Sequence, residues 1–307
     1  MKRSAIITDH TVAALYGKRI SAYFQAPLFS FPSGEMCKTR ATKEALEDQL
    51  LLAGYLRDTT IIGLGGGVVT DMAGFIAATF CRGVPLILIP TTLLAMVDAA
   101  IGGKNGVNTA HGKNMIGTIY HPEKVIIDPR FLKTLPEKEL FNGRVEMIKH
   151  GLIADPGLIK TFDLHRAIEV KRRIVAQDDH ETGIRSLLNL GHTLGHALEK
   201  LSDYTLSHGE AVAQGIVLES RISHALGILD SDSLALIEEL FPLPALVFTP
   251  EKIAEALKSD KKRRGGLPHF VLLKKIGEPY LCGSEYCHPV PESILMKVLH
   301  DASLCRR

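Results

Sequence analysis

The sequence predicts an α/β chain, an N-terminal Rossmann-like parallel-sheet domain followed by a mainly α-helical metal-binding domain. Three observations predict it. Up to about residue 127, short apolar runs alternate with helix-patterned segments, the arrangement that builds a parallel sheet covered by helices. From about residue 137, amphipathic helices with short links take over. Chemistry-bearing residues gather at the ends of the early strands and in Asn189-Leu-Gly-His192-Thr-Leu-Gly-His196-Ala-Leu-Glu199, followed by Ser207-His208-Gly-Glu210.

In chain order, Ser4–Thr8 reads as a strand and Thr11–Arg19 as a helix. Pro27–Phe31 is a second strand that ends at Pro32-Ser-Gly-Glu35, and Thr42–Leu56 is an amphipathic helix. Thr59–Leu64 is a third strand running into Gly65-Gly66-Gly67, with Val68–Phe80 the helix that follows. Val84–Ile89 is a fourth strand, closed by Pro90-Thr91-Thr92. Ligands of such sheets sit beyond the carboxyl ends of the strands. The triple glycine lies at such an end, where bare backbone N–H groups and a helix N-terminus favour a phosphate. Glu35 is placed to take a ribose hydroxyl pair. Singly these are a tight turn and a solvated acid; together they point to a dinucleotide.

Residues 90–114, PTTLLAMVDAAIGGKNGVNTAHGKN, read as one long glycine-rich loop carrying Asp98, Lys104, Asn105, Asn108, Lys113 and Asn114. A loop this long inside a domain is functional or disordered, and its composition suits wrapping an anionic ligand. Lys124–Ile127 reads as a further strand and Asp128–Pro136 as a connector. The change of pattern places a domain boundary near residue 135, giving units 1–135 and 136–307.

In the second unit a helix over Glu137–Ala154 puts Glu146, Lys149 and His150 on consecutive turns. Glu146 and Lys149 are either a surface ion pair or a metal carboxylate beside a base; their spacing allows both. Lys171–Arg173 and Glu181–Arg185 are charge runs, ordinarily solvated faces. His192 and His196, four apart on a helix, share a face, and glycines beside them permit close approach of a ligand or a backbone. With His208 at the entry of the next helix, they form a plausible nitrogen set for a divalent ion such as zinc. Ile253–Leu257 is helical, Asp260–Gly266 is a basic turn, and Phe270–Leu273 is strand-like.

Composition excludes several classes. A chain of 307 residues, 46% hydrophobic and 23% charged, has room for two cores and fits a soluble globular protein. A net charge of +2 gives no reason to expect nucleic acid or an anionic membrane as partner. The five cysteines form no CxxC pair and read as reduced thiols of a cytoplasmic protein. MKRSAIITDH lacks the apolar stretch of a signal peptide, and no run approaches a membrane span.

Several long stretches, in order, resemble the 3-dehydroquinate synthase family: GGGVVTDMAGFIAATFCRG, the 90–114 segment, FLKTLP, GRVEMIKHG, GIRSLLNLGHTLGHALE and SHGEAVAQG. The resemblance runs from about Asp9 to Lys261. It implies zinc, or cobalt in its place, on Glu146, His192 and His208, with His196 beside the substrate as a proton-handling or phosphate-contacting group. It implies NAD on Gly66, Gly67, Val68 and Asp71, with Glu35 and Lys38 at a ribose and Thr91, Thr92, Lys113, Phe131, Thr134 and Asn142 completing the site. On the adenine side Asp9-His10-Thr11 stands where members carry Asp-x-Asn, and members have a further strand pair before the segment matching Ser4–Thr8.

The implied substrate, 3-deoxy-D-arabino-heptulosonate 7-phosphate, carries a carboxylate and a phosphate. Its contacts would come from Asp98, Lys104, Asn114, Glu146, Lys149, Lys171, Arg185, Asn189 and one of Lys261 and Lys262. The implied chemistry is oxidation at C5 by NAD, phosphate elimination, re-reduction, ring opening and aldol closure to 3-dehydroquinate, a step of the shikimate pathway. Asp98, Lys149, His196 and Glu146 would be the catalytic set. Arg82 would reach the neighbouring subunit's site, implying a homodimer. Another NAD- and zinc-dependent sugar-phosphate cyclase, a metal-dependent polyol dehydrogenase and a non-catalytic relic are the alternatives.

Overall fold

The computed structural model describes residues 3–264 and 268–304, with the side chains of residues 259–264 outside that description. The chain divides into two compact units, Met1–Gly143 and Arg144–Arg307, the division falling inside the helix Glu137–Ile153. Among the described residues no helix is long and apolar enough to cross a membrane.

The first unit is built on a five-stranded, all-parallel sheet. Its strands are β1 (Arg3–Asp9), β2 (Leu28–Phe31), β3 (Thr59–Gly65), β4 (Leu86–Pro90) and, at the far edge, the two-residue Lys124–Val125. The spatial order is β2, β1, β3, β4, then the edge strand. The chain reverses its direction of travel across the sheet between β1 and β3. In open α/β sheets that switch point marks the ligand crevice. Every residue of β3 is buried, so both faces of the sheet are covered there. The core joins Ile7, Ile61 and Leu88 of the strands to Leu46, Leu50, Met72 and Ile76 of the helices Arg40–Leu52 and Gly67–Thr79.

Three expectations are corrected in this unit. The helix expected over Thr11–Arg19 is instead a short α-turn, a π-helical turn Ala13–Gly17 and a helix Lys18–Phe24 that ends on the left-handed Gln25. Val84 precedes β4 rather than opening it. The long loop expected over residues 90–114 is a π-helical turn, Ala95–Ala99, followed by an antiparallel hairpin, β5 (Lys104–Thr109) with β6 (Gly112–Ile119). Gly106 and Gly117 face each other across the hairpin, where a Cβ on Gly117 would lie 1.9 Å from the Asn105 carbonyl oxygen. That close crossing requires glycines, which removed the β-branched residues that signal a strand.

The second unit is helical. Its core gathers Leu194 and Leu198 from the helix His192–Leu201, Leu218 and Ile222 from His208–Ala225, Ile253 and Leu257 from Pro250–Arg264, and Val298 and Leu299 from Glu292–Leu304. Of the basic turn expected over Asp260–Gly266, residues 260–264 continue the helix Pro250–Arg264, and Gly265 and Gly266 lie outside the described residues. The strand expected over Phe270–Leu273 is split between two short antiparallel pairs, His269–Phe270 with His288–Pro289 and Leu273–Lys275 with Glu278–Pro279.

Candidate metal and substrate site

The site in the second unit begins with a helix crossing. Where the helices His192–Leu201 and His208–Ala225 pack, a Cβ on Gly215 would lie 1.9 Å from the Gly191 carbonyl oxygen, and one on Gly195 would lie 3.1 Å from that of Ala211. The glycines beside the histidines therefore admit a neighbouring backbone. His192 and His208 each open their helix, so the crossing brings two helix N-termini and their imidazoles together, ring centroids 5.4 Å apart. Ser207 and Glu210 form a capping box that fixes the start of the His208 helix.

Glu146, fully buried on the helix Glu137–Ile153, faces both rings. One carboxylate oxygen, Oε1, lies 3.7 Å from His192 Nε2 and 3.4 Å from His208 Nε2. Its other oxygen forms an ion pair with Lys149, which is itself buried. Burial removes the surface-pair alternative for Glu146 and Lys149. Apart from the Lys149 ammonium and the two imidazoles, neither oxygen of Glu146 has a hydrogen-bond partner among the described residues, so Oε1 faces the rings with room to join a shared cation. One ligand atom from each of Glu146, His192 and His208 lies within 4.8 Å of the others. A mixed oxygen and nitrogen set of three protein ligands suits a catalytic zinc or cobalt with positions left for substrate.

The surrounding groups set the protonation of the ligands. Burial would raise Glu146, but the Lys149 ammonium and the histidines hold its carboxyl well below the usual range. Burial, reinforced by Lys149, holds His192 well below the ordinary imidazole value, as a neutral ligand requires. His192 Nδ1 lies 3.1 Å from the Leu190 carbonyl oxygen, which leaves Nε2 with the lone pair aimed at the Glu146 side. His208 is desolvated too, yet Glu146 and Glu199 push it up to about 9. Glu199 stands 3.6 Å from His208 Nδ1, a carboxylate behind a candidate ligand imidazole. A divalent ion would take the proton's place on Nε2. His196, one turn beyond His192, is exposed, with its ring edge-on to His192 at 5.3 Å.

Two further cations of this unit depart from the solvated-face expectation for their charge runs. Lys171 on the helix Leu164–Gln177 is 6% exposed, and Arg185 in the turn Ile184–Asn189 is 2% exposed. Asp178 organises that turn by accepting from the Thr182, Gly183 and Arg185 amides, and Arg185 Nη1 donates to the Asp179 carbonyl at 2.5 Å. Asn189 donates to Glu181 Oε1 at 2.5 Å. Lys261 and Lys262 lie in the helix Pro250–Arg264 with their side chains outside the described residues.

The first unit holds the residues expected at a dinucleotide. Gly66 precedes the helix Gly67–Thr79, whose first amides receive no side-chain cap, so Gly67 and Val68 present bare N–H groups at the end of β3. A Cβ on Gly66 would lie 2.9 Å from Thr92 Cγ2. Thr91 donates its amide to the Gly65 carbonyl, and Thr92 Oγ1 caps the amide of Ala95. Lys38, buried, pairs with Asp71 and donates to Asn114 Oδ1 at 2.6 Å. Glu35 Oε1 accepts from Asn108 at 2.7 Å. Asp9 caps the turn His10–Val12 through the Val12 amide and accepts from Ser33.

Phe131 meets Tyr16 edge-on at 4.8 Å, and Thr134 hydrogen-bonds the Tyr16 hydroxyl. Asn142 donates to Glu139. Asp98 ends within the turn Ala95–Ala99, Lys104 opens β5 on its exposed side, and Lys113 lies on β6. Arg82 is exposed and left-handed, at φ 70°, next to Cys81 at φ 50°.

Sequence reasoning missed three acids: Asp178, Glu199 and Glu219. The signal in each case was a lone acid within a motif or on an apolar helix stripe, with partners that are remote or are backbone amides.

The family model described as 3-dehydroquinate synthase N-terminal matches residues 28–142, and the one described as 3-dehydroquinate synthase C-terminal matches 143–263. A 3-dehydroquinate synthase of Pelobacter propionicus is 43% identical over 304 residues, covering 90% of this chain and 85% of its own. A crystal structure of 2-deoxy-scyllo-inosose synthase, complexed with carbaglucose-6-phosphate, NAD+ and Co2+, superposes with a TM-score of 0.89 at 26% identity, over 98% of this chain and 91% of that one. A 2-epi-5-epi-valiolone synthase from Streptomyces hygroscopicus, with NAD+ and Zn2+ bound, gives 0.86 at 29% identity over the same shares.

Proposed function

The chain belongs to the 3-dehydroquinate synthase family, and from that premise we propose that it converts 3-deoxy-D-arabino-heptulosonate 7-phosphate to 3-dehydroquinate and phosphate. The overall course is transient oxidation, phosphate elimination, re-reduction, ring opening and intramolecular aldol closure, which makes the protein a carbon–oxygen lyase acting on phosphate. The observation that carries the reading is the buried carboxylate of Glu146, one oxygen paired with Lys149 and the other facing both His192 and His208.

When bound, NAD supplies a hydride acceptor that is restored within the turnover, and zinc or cobalt supplies a Lewis acid that acidifies a substrate hydroxyl. Glu146, His192 and His208 would hold the ion. Gly66, Gly67 and Val68, with the uncapped helix start, would take the pyrophosphate, and Lys38, Asp71, Glu35, Thr91, Thr92, Lys113, Phe131, Thr134, Asn142 and Asp9 would complete the dinucleotide site.

Lys149 keeps Glu146 ionised and stabilises negative charge that develops on substrate oxygen. His196, exposed and adjacent, and Asp98 move protons. Lys171 and Arg185, with Lys104, Asn114, Asn189 and Lys261 or Lys262, bind the phosphate and carboxylate; a fork-shaped guanidinium suits the carboxylate. Arg185 and Asn189, as contacts for a carboxylate, favour this substrate over the carboxylate-free sugar phosphates of related cyclases. Arg82 would complete a second subunit's site in a homodimer, and the cytoplasm is the compartment that fits its reduced thiols.

The test is turnover with NAD, zinc and the heptulosonate phosphate. Phosphate and 3-dehydroquinate should form together without net NADH. NADH accumulation would favour a polyol dehydrogenase, and turnover only of carboxylate-free sugar phosphates would favour another cyclase.

A further inference from the structure

Glu219 is a fully buried acid that no step above uses. It sits midway along the helix His208–Ala225, between Leu218 and Ser220, and no salt bridge reaches it among the described residues. Burying a carboxyl without a cation costs several kcal/mol unless its oxygens are fully engaged. Here they are engaged by the backbone of another helix. One oxygen, Oε2, accepts from the Gly191 amide at 2.8 Å, and Oε1 accepts from the Leu194 amide at 3.3 Å. Those amides belong to the N-cap and third residue of the His192 helix.

That contact supplies something the local chain cannot. A helix start is normally satisfied by an N-cap Ser, Thr, Asp or Asn. The N-cap here is Gly191 at φ 79°, and a Cβ there would lie 2.5 Å from Ile216 Cγ1 and 2.8 Å from the Val212 carbonyl oxygen. The close crossing that brings the imidazoles together therefore forbids a local capping side chain. Glu219 delivers the cap from across the crossing. The same clamped turn carries the Leu190 carbonyl that orients His192 through Nδ1.

We propose that Glu219 is a positioning residue of the metal centre, capping the His192 helix in trans and holding the His192 ring in its ligating orientation. The inference rests on the metal reading of Glu146, His192 and His208. Glutamine at this position offers one acceptor oxygen and turns an NH2 toward the other amide, so only one of the two contacts survives. The orientation of His192 loosens while its side chain remains.

The test uses the full chain stripped of metal and titrated with Co2+ alone. Affinity is read by competition with a chelator, and the ligand set by the visible absorption of the bound ion. His192→Ala tests the underlying reading, Glu219→Gln tests the inference, and Val217→Ala, a cavity in the same helix, controls for lost stability. We expect Glu219→Gln to weaken Co2+ about 10- to 100-fold and alter the spectrum, as outer-sphere partners of ligating histidines do. Val217→Ala should retain both at wild-type values in the folded protein.

If Glu219→Gln does not fold, Glu219→Asp carries the same comparison, since its oxygens retreat by one methylene with the carboxyl group kept. Wild-type affinity and spectrum in a folded Glu219 variant would overturn the inference. Undiminished Co2+ binding by His192→Ala would overturn the metal reading instead.

Discussion

Replacing Glu146 by Gln isolates the buried pair at the heart of the site. Glu146 and Lys149 are 0% and 1% exposed, so the variant leaves an ammonium in the interior without its counter-charge. Breaking a buried pair from one side costs about 3–5 kcal/mol, whereas replacing both partners with uncharged groups is often close to neutral. For a unit of this size each kcal/mol moves Tm by about 2–4 °C, so Glu146→Gln should lower Tm by about 6–20 °C. Glu146→Gln combined with Lys149→Met should recover most of that loss, a coupling of about 2 kcal/mol or more. The assay is thermal and urea unfolding of the four proteins with chelator present, so that ion binding contributes nothing to any of them. A Glu146→Gln variant within about 1 kcal/mol of wild type, or a double variant equal to the sum of the singles, would refute the buried-pair reasoning.

Zinc at about 100 times its Kd should stabilise the wild type by about 2.7 kcal/mol, and His192→Ala should fold but gain nothing; calorimetry with and without chelator checks both. Gly215→Ala places a Cβ 1.9 Å from the Gly191 carbonyl oxygen. It should part the His192 and His208 helices, losing about 3 kcal/mol or more together with metal affinity, as unfolding and chelator competition would show. The Asp178 carboxyl is desolvated, yet amide donors of Thr182, Arg185 and Gly183 pull it down to about 2. A lowered folded-state value means its contribution is present above about pH 4 and is lost as pH falls through about 2. Asp178→Ala should therefore cost about 1–2 kcal/mol near neutral pH, allowing for solvent screening, with the gap closing near pH 2 in urea titrations.

Much of the first unit is legible because its signals are local. Thr59–Gly65 is an apolar run that stops at glycines, and such a run buried on both faces is what a central parallel strand requires. The hairpin Lys104–Ile119 was illegible because its crossing point takes Gly106 and Gly117, which read as loop. The helix Pro250–Arg264 outran its expectation because Lys and Arg continue a helix as readily as they make a basic turn.

At the site, spacing alone favoured His192 with His196, the pair one turn apart. His208 stands beside them in the sequence as a third nitrogen, but the exchange of His196 for Glu146 in the set depends on how separate helices pack, so it came from the family resemblance rather than from spacing. Whether Glu146 and Lys149 lie on the surface or in the interior is a tertiary fact that an i,i+3 spacing cannot encode. Glu219 was invisible for a related reason: its partners are backbone amides, which leave no mark in the sequence of side chains.

The proposed metal centre places a catalytic divalent ion on one carboxylate and two imidazoles of the second unit. Anomalous diffraction at the zinc absorption edge, from crystals of the zinc-loaded protein, tests it most directly. The predicted result is a single strong peak within about 2.0–2.2 Å of a Glu146 oxygen, His192 Nε2 and His208 Nε2. A zinc peak held by other residues, with these three bound to nothing, would contradict it.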